Sequence, residues 1–487
     1  MEAIKVGDII HAVKGELLYG SKDTIVTSVS TNSNDLEQGA LFVPIIGERV
    51  DAHDYIDSAF AHGAVATFTS RNDLNFDQTK VYILVHDTIE AMQTLAAYYR
   101  SLLSIPVVGI TGSVGKTTTK EMISAALSTQ YNVLKTAGNM NSQVGLPLTV
   151  FRIEHEHEVA VIEMGMSEEG EMARLAHVAK PTMAVITNIG VSHIAQLGSR
   201  ENIRKEKMNI IDEMQGHSNQ LYINGDDDML CQVIQTQSNL QQTESTSIID
   251  LCEPTKSCLK KIKVSSFGTK APADYYAKNI RFEDGKTYFT FVYPEGEEDI
   301  VLKVLGIHNV NNAISALAIA MQLQIPPNVA KVGLFNYEPI AMRGQIFDVD
   351  GIKIIDDTYN ASPDSMKSGI QVLLSMENVK KRIAVLADVL ELGEGSHDLH
   401  YSVGTYIADL NEENQQAHVN EVVVIGSAAK AIVKALLDRN SEVVTHTFQT
   451  NEQAADYLKA CCKPNDAMLI KGSRGMRTDE IVKRFIK

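Results

Sequence analysis

The 487-residue chain is short of basic residues: 44 Lys and Arg face 61 Asp and Glu, a formal charge of −17. A protein this acidic repels nucleic acid and anionic membranes at long range, so broad contact with either is excluded and any phosphate must be held by local donors. Cysteine is also scarce. Cys231, Cys252, Cys258, Cys461 and Cys462 are odd in number and form no pair of CxxC knuckles, which argues against a disulfide framework or a structural zinc site and leaves free thiols. No apolar run reaches about 18 residues, and "MEAIKVGDIIHAVKG" has neither the basic start nor the long apolar block of a secretory signal. A cytoplasmic protein without membrane insertion is expected. Repeats and low-complexity tracts are missing too, as is the NKxD motif by which a GTPase-type switch reads guanine.

What is present supports several domains. The chain is 44% apolar, enough to give cores to about three domains of roughly 150 residues. Residues 1–103 mix short strand-like runs such as "GALFVPI" with one helix-like run, "TIEAMQTLAAYYRSLL". From 104 the pattern alternates strand and helix, which implies parallel strands joined by right-handed crossovers. A polar stretch from 235 to 260 precedes the alternation in "KTYFTFVYPEGEEDIVLKVLG", which adds an antiparallel edge, and "IPPNVAKVGLFNYEP" interrupts the pattern with prolines. Residues 337–487 alternate again, through "RIAVLADV", "EVVVIGSAAKAIVKALL" and "DAMLIKGS" to a closing helix, "TDEIVKRFIK". The expected fold is α/β in three parts: a small mixed N-terminal domain (1–103), a central parallel-sheet P-loop domain (104–336) and a C-terminal Rossmann-like domain (337–487).

The most informative stretch is "VVGITGSVGKTTTKEMI". A strand, a glycine-bearing turn and Lys-Thr opening a helix form an anion site: backbone N–H groups point at phosphate oxygens, the lysine bridges them, and the next hydroxyl can bind Mg²⁺. The candidate residues are Thr111, Gly112, Ser113, Val114, Gly115, Lys116, Thr117 and Thr118. The spacing departs from G-x-x-x-x-G-K, because the first glycine is Gly109 where that pattern puts position 110. Glu163 ends the apolar run "VAVIEMGM", and carboxyl ends of parallel strands face the ligand crevice, so it can share the Mg²⁺ with Thr117. A solvated acid at a strand end is the alternative. "TNIGVSHI" brings Asn188 and His193 to the same rim. The cations of "SRENIRKEKMNIIDEM" read as a solvated face, and nothing in the charge pattern singles out Lys207.

Eight segments, "GITGSVGKTTT", "AGNMNSQVGLPLTV", "EMGMS", "TNIGVSHI", "LGSRENIRKEK", "GIHNVNNAISALA", "MRGQ" and "DDTYNASPDSM", occur in the order found in Mur ligases. The chain resembles that family, ATP-dependent amide-forming enzymes of peptidoglycan synthesis, over essentially its whole length. "GALFVPIIGERVDAHDYI", "DDTYNASP", "VLADVLELGEGSHDLH" and "KGSRGM" are similar to the branch that adds D-alanyl-D-alanine to UDP-N-acetylmuramoyl-tripeptide through an acyl phosphate. The resemblance implies ATP phosphates on Lys116, Mg²⁺ at Thr117 and Glu163, and a second metal ion on His193 and a carbamylated Lys207. It implies Asn309 and Asn312 beside adenine, Arg343 at the γ-phosphate, Asp357 on the ribose and Tyr359 beside the nucleotide. Asn139, Asn141 and Ser192 would line the path of the UDP-linked substrate, with Asn32, Ser33, Gly47, Arg49 and His53 at its uridine end. Related chains carry acid-serine-arginine where this one reads Thr31, Asn32, Ser33, which places more of the load on Arg49. A folylpolyglutamate synthase shares the loop and the carbamate but lacks the N-terminal domain with "GERVDAHDYI". A non-catalytic scaffold of the same fold would be expected to lose Lys116, Glu163 or Lys207. A monomer is expected.

Overall fold

The computed structural model describes residues 1–73, 76–214, 218–243, 249–269, 272–414 and 417–486; Lys487, the end of the expected closing helix, and residues 244–248 of the polar stretch lie outside the described residues. Three large sheets, besides the two-stranded pair of Ile4–Lys5 with Ile25–Val26, organise the described residues, in line with the expected α/β fold. In the central sheet, Val107–Thr111 lies between Val159–Glu163 and Met183–Ile186, all three parallel and buried throughout. Strands covered by helices on both faces read as continuous branched apolar runs, which is how "VVGIT" and "VAVIE" look in the sequence. Parallel pairing continues through Gln220–Asn224 and Lys263–Gly268 to Tyr275–Glu283. Lys286–Tyr293 and Gly296–Leu302 then add the antiparallel edge.

The N-terminal sheet holds five strands, with Glu16–Tyr19 antiparallel to Val81–Leu84 and the remaining pairs parallel. The C-terminal sheet has six strands. Ile352–Asp356, Asp466–Lys471, Lys381–Ala387, Glu421–Ile425 and Val444–Phe448 run parallel in that order, and Gln345–Val349 is antiparallel on the edge.

Two local readings differ from expectation. The polar stretch 235–260 overlaps two helices, Cys231–Thr243 and Glu253–Leu259, whose exposed sides are mostly polar and mask the helical period. "IPPNVAKVGLF", read as an interruption, contains the helix Pro327–Phe335 with proline in its first turn, where a missing N–H costs nothing. This helix packs on Lys116–Leu127 so closely that a Cβ at Gly333 would fall 2.0 Å from Ala125 O. The chain passes into the third domain just beyond it.

The first and central domains share one apolar core. The helix Thr88–Ser101 turns Leu95, Ala96 and Tyr99 onto residues of the central domain such as Leu146, Phe151 and Ala179. Tyr99 donates its hydroxyl to Ile153 O, and buried Arg100 donates to Ala179 O at 3.1 Å, Leu103 O at 2.6 Å and Ile105 O at 2.9 Å. The third domain keeps a separate cluster on each face of its own sheet, to which Leu305 is the fully buried contribution from the central domain among the described residues.

Candidate active site

From Val107–Thr111 the chain turns through Gly112–Gly115 into the helix Lys116–Leu127. Glycine is required twice in this turn. Gly112 has φ +150° and a Cβ there would lie 1.9 Å from Thr187 Oγ1, while Gly115 takes φ +86°. The adjacent strand end braces the loop. Asn188 O accepts from the Ser113 N–H at 3.0 Å, the Asn188 side chain accepts from the Val114 N–H at 2.9 Å, and Ser113 Oγ accepts from the Gly190 N–H at 2.9 Å.

Two lysines converge on one carbonyl. Lys116 Nζ donates to Gly112 O at 2.7 Å, and buried Lys207 Nζ donates to the same oxygen at 3.2 Å. Burial, with the Lys116 charge added, pushes Lys207 well below the ordinary lysine range, towards the neutral amine. Lys116 is also lowered, first by burial and then by Arg343, while Glu163 and Glu391 oppose the shift.

Glu163 is buried at its strand end. Its Oε1 accepts from Thr117 Oγ1 at 3.2 Å and from Asn141 Nδ2 at 2.8 Å. Its Oε2 is buried without a hydrogen bond, and Lys120 Nζ stands 4.0 Å away. An unsatisfied carboxylate oxygen beside a threonine hydroxyl is a hard-oxygen pair of the kind Mg²⁺ takes, with phosphate oxygens and water completing its shell. Among the described residues no group of three or more His, Cys, Asp or Glu side chains gathers as a metal site. An ion here would therefore depend on Thr117, Glu163 and its own phosphate ligands.

His193 caps the short helix Ile194–Leu197 with φ +63°. Burial, then Lys207 and Lys116, lower its pKa to about 4, so the imidazole is neutral near pH 7. The third domain faces it across the cleft. Glu391 Oε2 lies 3.6 Å from His193 Nδ1, and Asp364 Oδ2 accepts from the Val191 N–H at 3.2 Å. From the same side the Arg343 guanidinium stacks on Tyr359 at 3.9 Å from the ring centre, and Asp357 Oδ2 is held by Lys471 Nζ at 2.6 Å. Asn312 Nδ2 donates to Asn309 Oδ1 at 3.4 Å, and its own Oδ1 accepts from Thr119 Oγ1 at 3.0 Å.

A single cavity of about 790 Å³ unites most of these residues. Ser113 to Thr118, Asn139, Asn141, Glu163, Ser192, His193, Asn309 and Asn312 line it from the central domain, and Arg343, Asp357 and Tyr359 from the third. Thr111, Gly112 and Lys207 sit behind that lining. The first-domain candidates do not reach it. Asn32 closes a local turn with Ser30 and Asn34, and Ser33 is buried. Gly47 and Val50 close a hairpin tip that leaves Arg49 exposed, with neither hydrogen bond nor ion pair among the described residues. His53 is buried with both ring nitrogens engaged, Nδ1 on Asp51 at 2.6 Å and Nε2 on the Ser70 N–H at 3.1 Å, so its ring orders the loop and has no free nitrogen for a ligand.

Sequence reasoning passed over Lys120, His308, Asp364, Glu391 and Lys471. Lys120 lies one turn beyond Lys116 on the same helix, a spacing that could have flagged it. Lys471, Asp364 and Glu391 stand inside segments already singled out, "KGSRGM", "DDTYNASPDSM" and "VLADVLELGEGSHDLH", and only the folded chain brings them to the nucleotide loop.

A phosphate loop, an acid on the neighbouring strand and an arginine from a further domain define an ATP-using enzyme of modular, cleft-forming type. Comparison with known proteins narrows the class. The Mur ligase middle domain matches residues 110–320, the Mur ligase glutamate ligase domain matches 342–474, and the Mur ligase family catalytic domain matches 25–100. The UDP-N-acetylmuramoyl-tripeptide--D-alanyl-D-alanine ligase of Bacillus subtilis is 36% identical over 485 residues, 99% of this chain and 98% of the relative. The crystal structure of MurF from Acinetobacter baumannii superposes with a TM-score of 0.84 at 27% identity, over 100% of this chain and 99% of that one. MurF ligase from Thermotoga maritima in complex with ADP gives 0.79 at 28% identity, over 94% of this chain and 97% of that one. The chain belongs to the Mur ligase family.

Proposed function

We propose that this protein is an ATP-dependent ligase that joins D-alanyl-D-alanine to UDP-N-acetylmuramoyl-tripeptide in peptidoglycan synthesis, releasing ADP and phosphate. The observation that carries the reading is the single cavity into which the phosphate loop, Glu163, Arg343 and Asp357 all open. The full-length kinship with ligases of that name supplies the substrates.

The chemistry needs no protein nucleophile. A carboxylate oxygen of the tripeptide attacks the γ-phosphorus of ATP and ADP leaves; the dipeptide amine then attacks the acyl carbon, the C–O bond to phosphate breaks, and the amine proton is lost. Lys116, now resting on Gly112 O, moves to the phosphates, a stronger acceptor, and Arg343 faces it from the third domain. Thr117 and Glu163 would hold Mg²⁺, which neutralises phosphate charge when bound. Asn309 and Asn312 lie on the adenine side, Asp357 at the ribose and Tyr359 against the nucleotide, while Asn139, Asn141 and Ser192 line the path of the acyl substrate. Burial pushes Lys207 well below the ordinary lysine range, which favours the amine form that reacts with CO₂, and the resulting carbamate, with His193, would give a second ion a carboxylate. Asn32, Ser33, Gly47 and Arg49 form the uridine end, and His53, with both ring nitrogens engaged, orders the loop that carries them. Because Arg343 and Lys116 belong to different domains, turnover requires the third domain against the central one, which also shields the acyl phosphate from water. No helix among the described residues is long and apolar enough to cross a membrane. We read the protein as a cytoplasmic monomer with domains 1–103, 104–336 and 337–487.

The test is phosphate release from ATP with UDP-N-acetylmuramoyl-tripeptide, with and without D-alanyl-D-alanine. Release that depends on both substrates, together with a product heavier by one dipeptide, is expected. Release indifferent to the dipeptide would overturn the reading.

A further inference from the structure

The loop that follows Met183–Ile186 gives three consecutive backbone N–H groups to three side chains from different parts of the chain. The Ile189 N–H donates to Asp227 Oδ2 at 2.9 Å, the Gly190 N–H to Ser113 Oγ at 2.9 Å and the Val191 N–H to Asp364 Oδ2 at 3.2 Å. Arg200 adds a clamp on the carbonyl side, donating to Ile189 O through Nε at 3.0 Å and Nη2 at 2.8 Å. Asp227, Ser113 and Arg200 belong to the central domain, and Ser113 is part of the phosphate turn itself. Asp364 belongs to the third domain, so one of the three anchors comes from the far side of the cavity that it lines.

Both sides of this crossing are shaped for it. Asp364 is the second residue of the helix Pro363–Leu374, whose start is already capped: the Ser365 N–H donates to Ser362 Oγ at 3.2 Å and the Ser362 N–H to Ser365 Oγ at 2.8 Å. Its carboxylate is thereby left to bond outward. Opposite, a Cβ at Gly190 would fall 2.2 Å from Asp364 Oδ2, so the acid reaches Val191 only because position 190 carries no side chain. The same loop braces the phosphate turn, through Gly190 on Ser113 Oγ, Asn188 O on the Ser113 N–H and the Asn188 side chain on the Val114 N–H. From Asp364 to the phosphate turn the path is thus Val191, Gly190, Ser113.

A hydrogen bond to a carboxylate is stronger than one between neutral groups, and a single one shifts a two-state equilibrium about tenfold. Arg343, Asp357 and Tyr359 line the cavity from the same domain as Asp364, so whatever ties that domain to the loop also keeps those side chains over a nucleotide seated on the phosphate turn. We propose that Asp364 is a positioning residue: its bond to Val191 latches the third domain to the loop that braces the phosphate turn, and bound nucleotide leaves when the latch opens. This rests on the nucleotide-binding part of the ligase reading above.

The test follows release of a fluorescent ADP analogue, chased by excess ADP with Mg²⁺ present, from wild type, Asp364→Ala, Asp364→Asn, Gly190→Ala and the double variant Gly190→Ala with Asp364→Ala. Asp364→Ala should release about tenfold faster, as for the loss of one charge-assisted hydrogen bond. Gly190→Ala should do the same from the central domain, because its methyl group displaces the carboxylate. The double variant should release no faster than the faster single one, since both changes remove one bond. Asp364→Asn keeps an acceptor oxygen and should fall between wild type and Asp364→Ala. Unchanged release in Asp364→Ala, beside a wild type that binds the analogue, would overturn this proposal alone; so would slower release, which would mean that the acid only repels phosphate. Equal rates in Asp364→Asn and Asp364→Ala would assign the effect to charge at the helix start, and additive gains in the double variant would assign it to separate contacts; either result overturns the latch. A wild type that binds no analogue would overturn the nucleotide reading and this proposal with it.

Discussion

The two seams of this chain are made differently. Between the first and central domains the apolar core runs on without a break, closed by Tyr99 and Arg100, two side chains that spend their polar atoms on backbone carbonyls of the junction. Between the central and third domains lies a cavity, crossed by the contact from Val191 to Asp364 and the approach of His193 to Glu391. Apolar continuity is lost only by exposing area to water, whereas a few polar contacts exchange for water at little net cost. One seam is therefore a fixture and the other a joint, and the residues of the proposed site are distributed across the joint.

That contrast is sharpened most by Arg343. Arg343→Ala should lower kcat by about 10³-fold or more, as for arginines supplied in trans to a phosphoryl group, with an unchanged circular dichroism spectrum and thermal midpoint. A large fall in midpoint would mean that the joint is structural and break the distinction. Tyr99 tests the other seam. Tyr99→Ala removes a buried aromatic at the shared core and should cost about 3–5 kcal/mol in denaturant unfolding, while the fraction that stays folded keeps its KM for ATP.

Acid should act on the joint. The unfolded His193 titrates near 6.5 and the folded one near 4, since a charge there is disfavoured by burial and by Lys207 and Lys116. Its contribution is complete above about pH 6.5 and is lost as pH falls through 4, at most about 3 kcal/mol. His193→Gln should flatten thermal midpoint against pH over that window, and an unaltered slope would remove His193 from the account. The smallest effect belongs to the first domain. Arg49→Ala should raise KM for the UDP-linked substrate about tenfold, about 1.4 kcal/mol, and leave KM for ATP and the dipeptide nearly unchanged. Equal rises in all three would mark a folding defect, and no rise would place the uridine site elsewhere.

The sequence made these regions legible to different degrees. The phosphate loop is contiguous, so "TGSVGKTTT" between a strand and a helix carries its own geometry, and Glu163 follows from the rule that carboxyl ends line the crevice. The shared core was invisible, because a boundary drawn at 104 from local pattern cannot report that Leu95 and Tyr99 pack beyond it. Lys471 against Asp357 and Asp364 against Val191 lie 114 and 173 positions apart; the first pairing is set by adjacent strands of the third domain's sheet and the second by domain placement, and no local period encodes either. Pro327 misled for a physical reason: the same ring that breaks a helix interior suits a helix start.

The continuous core also decides how the chain can be divided. A piece beginning at residue 104 would be born with the faces that meet Leu95, Ala96 and Tyr99 uncovered, a broad apolar scar of the sort that drives self-association. A piece beginning near residue 337 keeps both of its own cores, one on each face of its sheet, and leaves behind little more than Leu305. Expressed separately, residues 1–336 and 337–487 are the fragments suited to remain soluble, and mixing them becomes a direct way to ask whether the peptide link across the joint is needed for turnover.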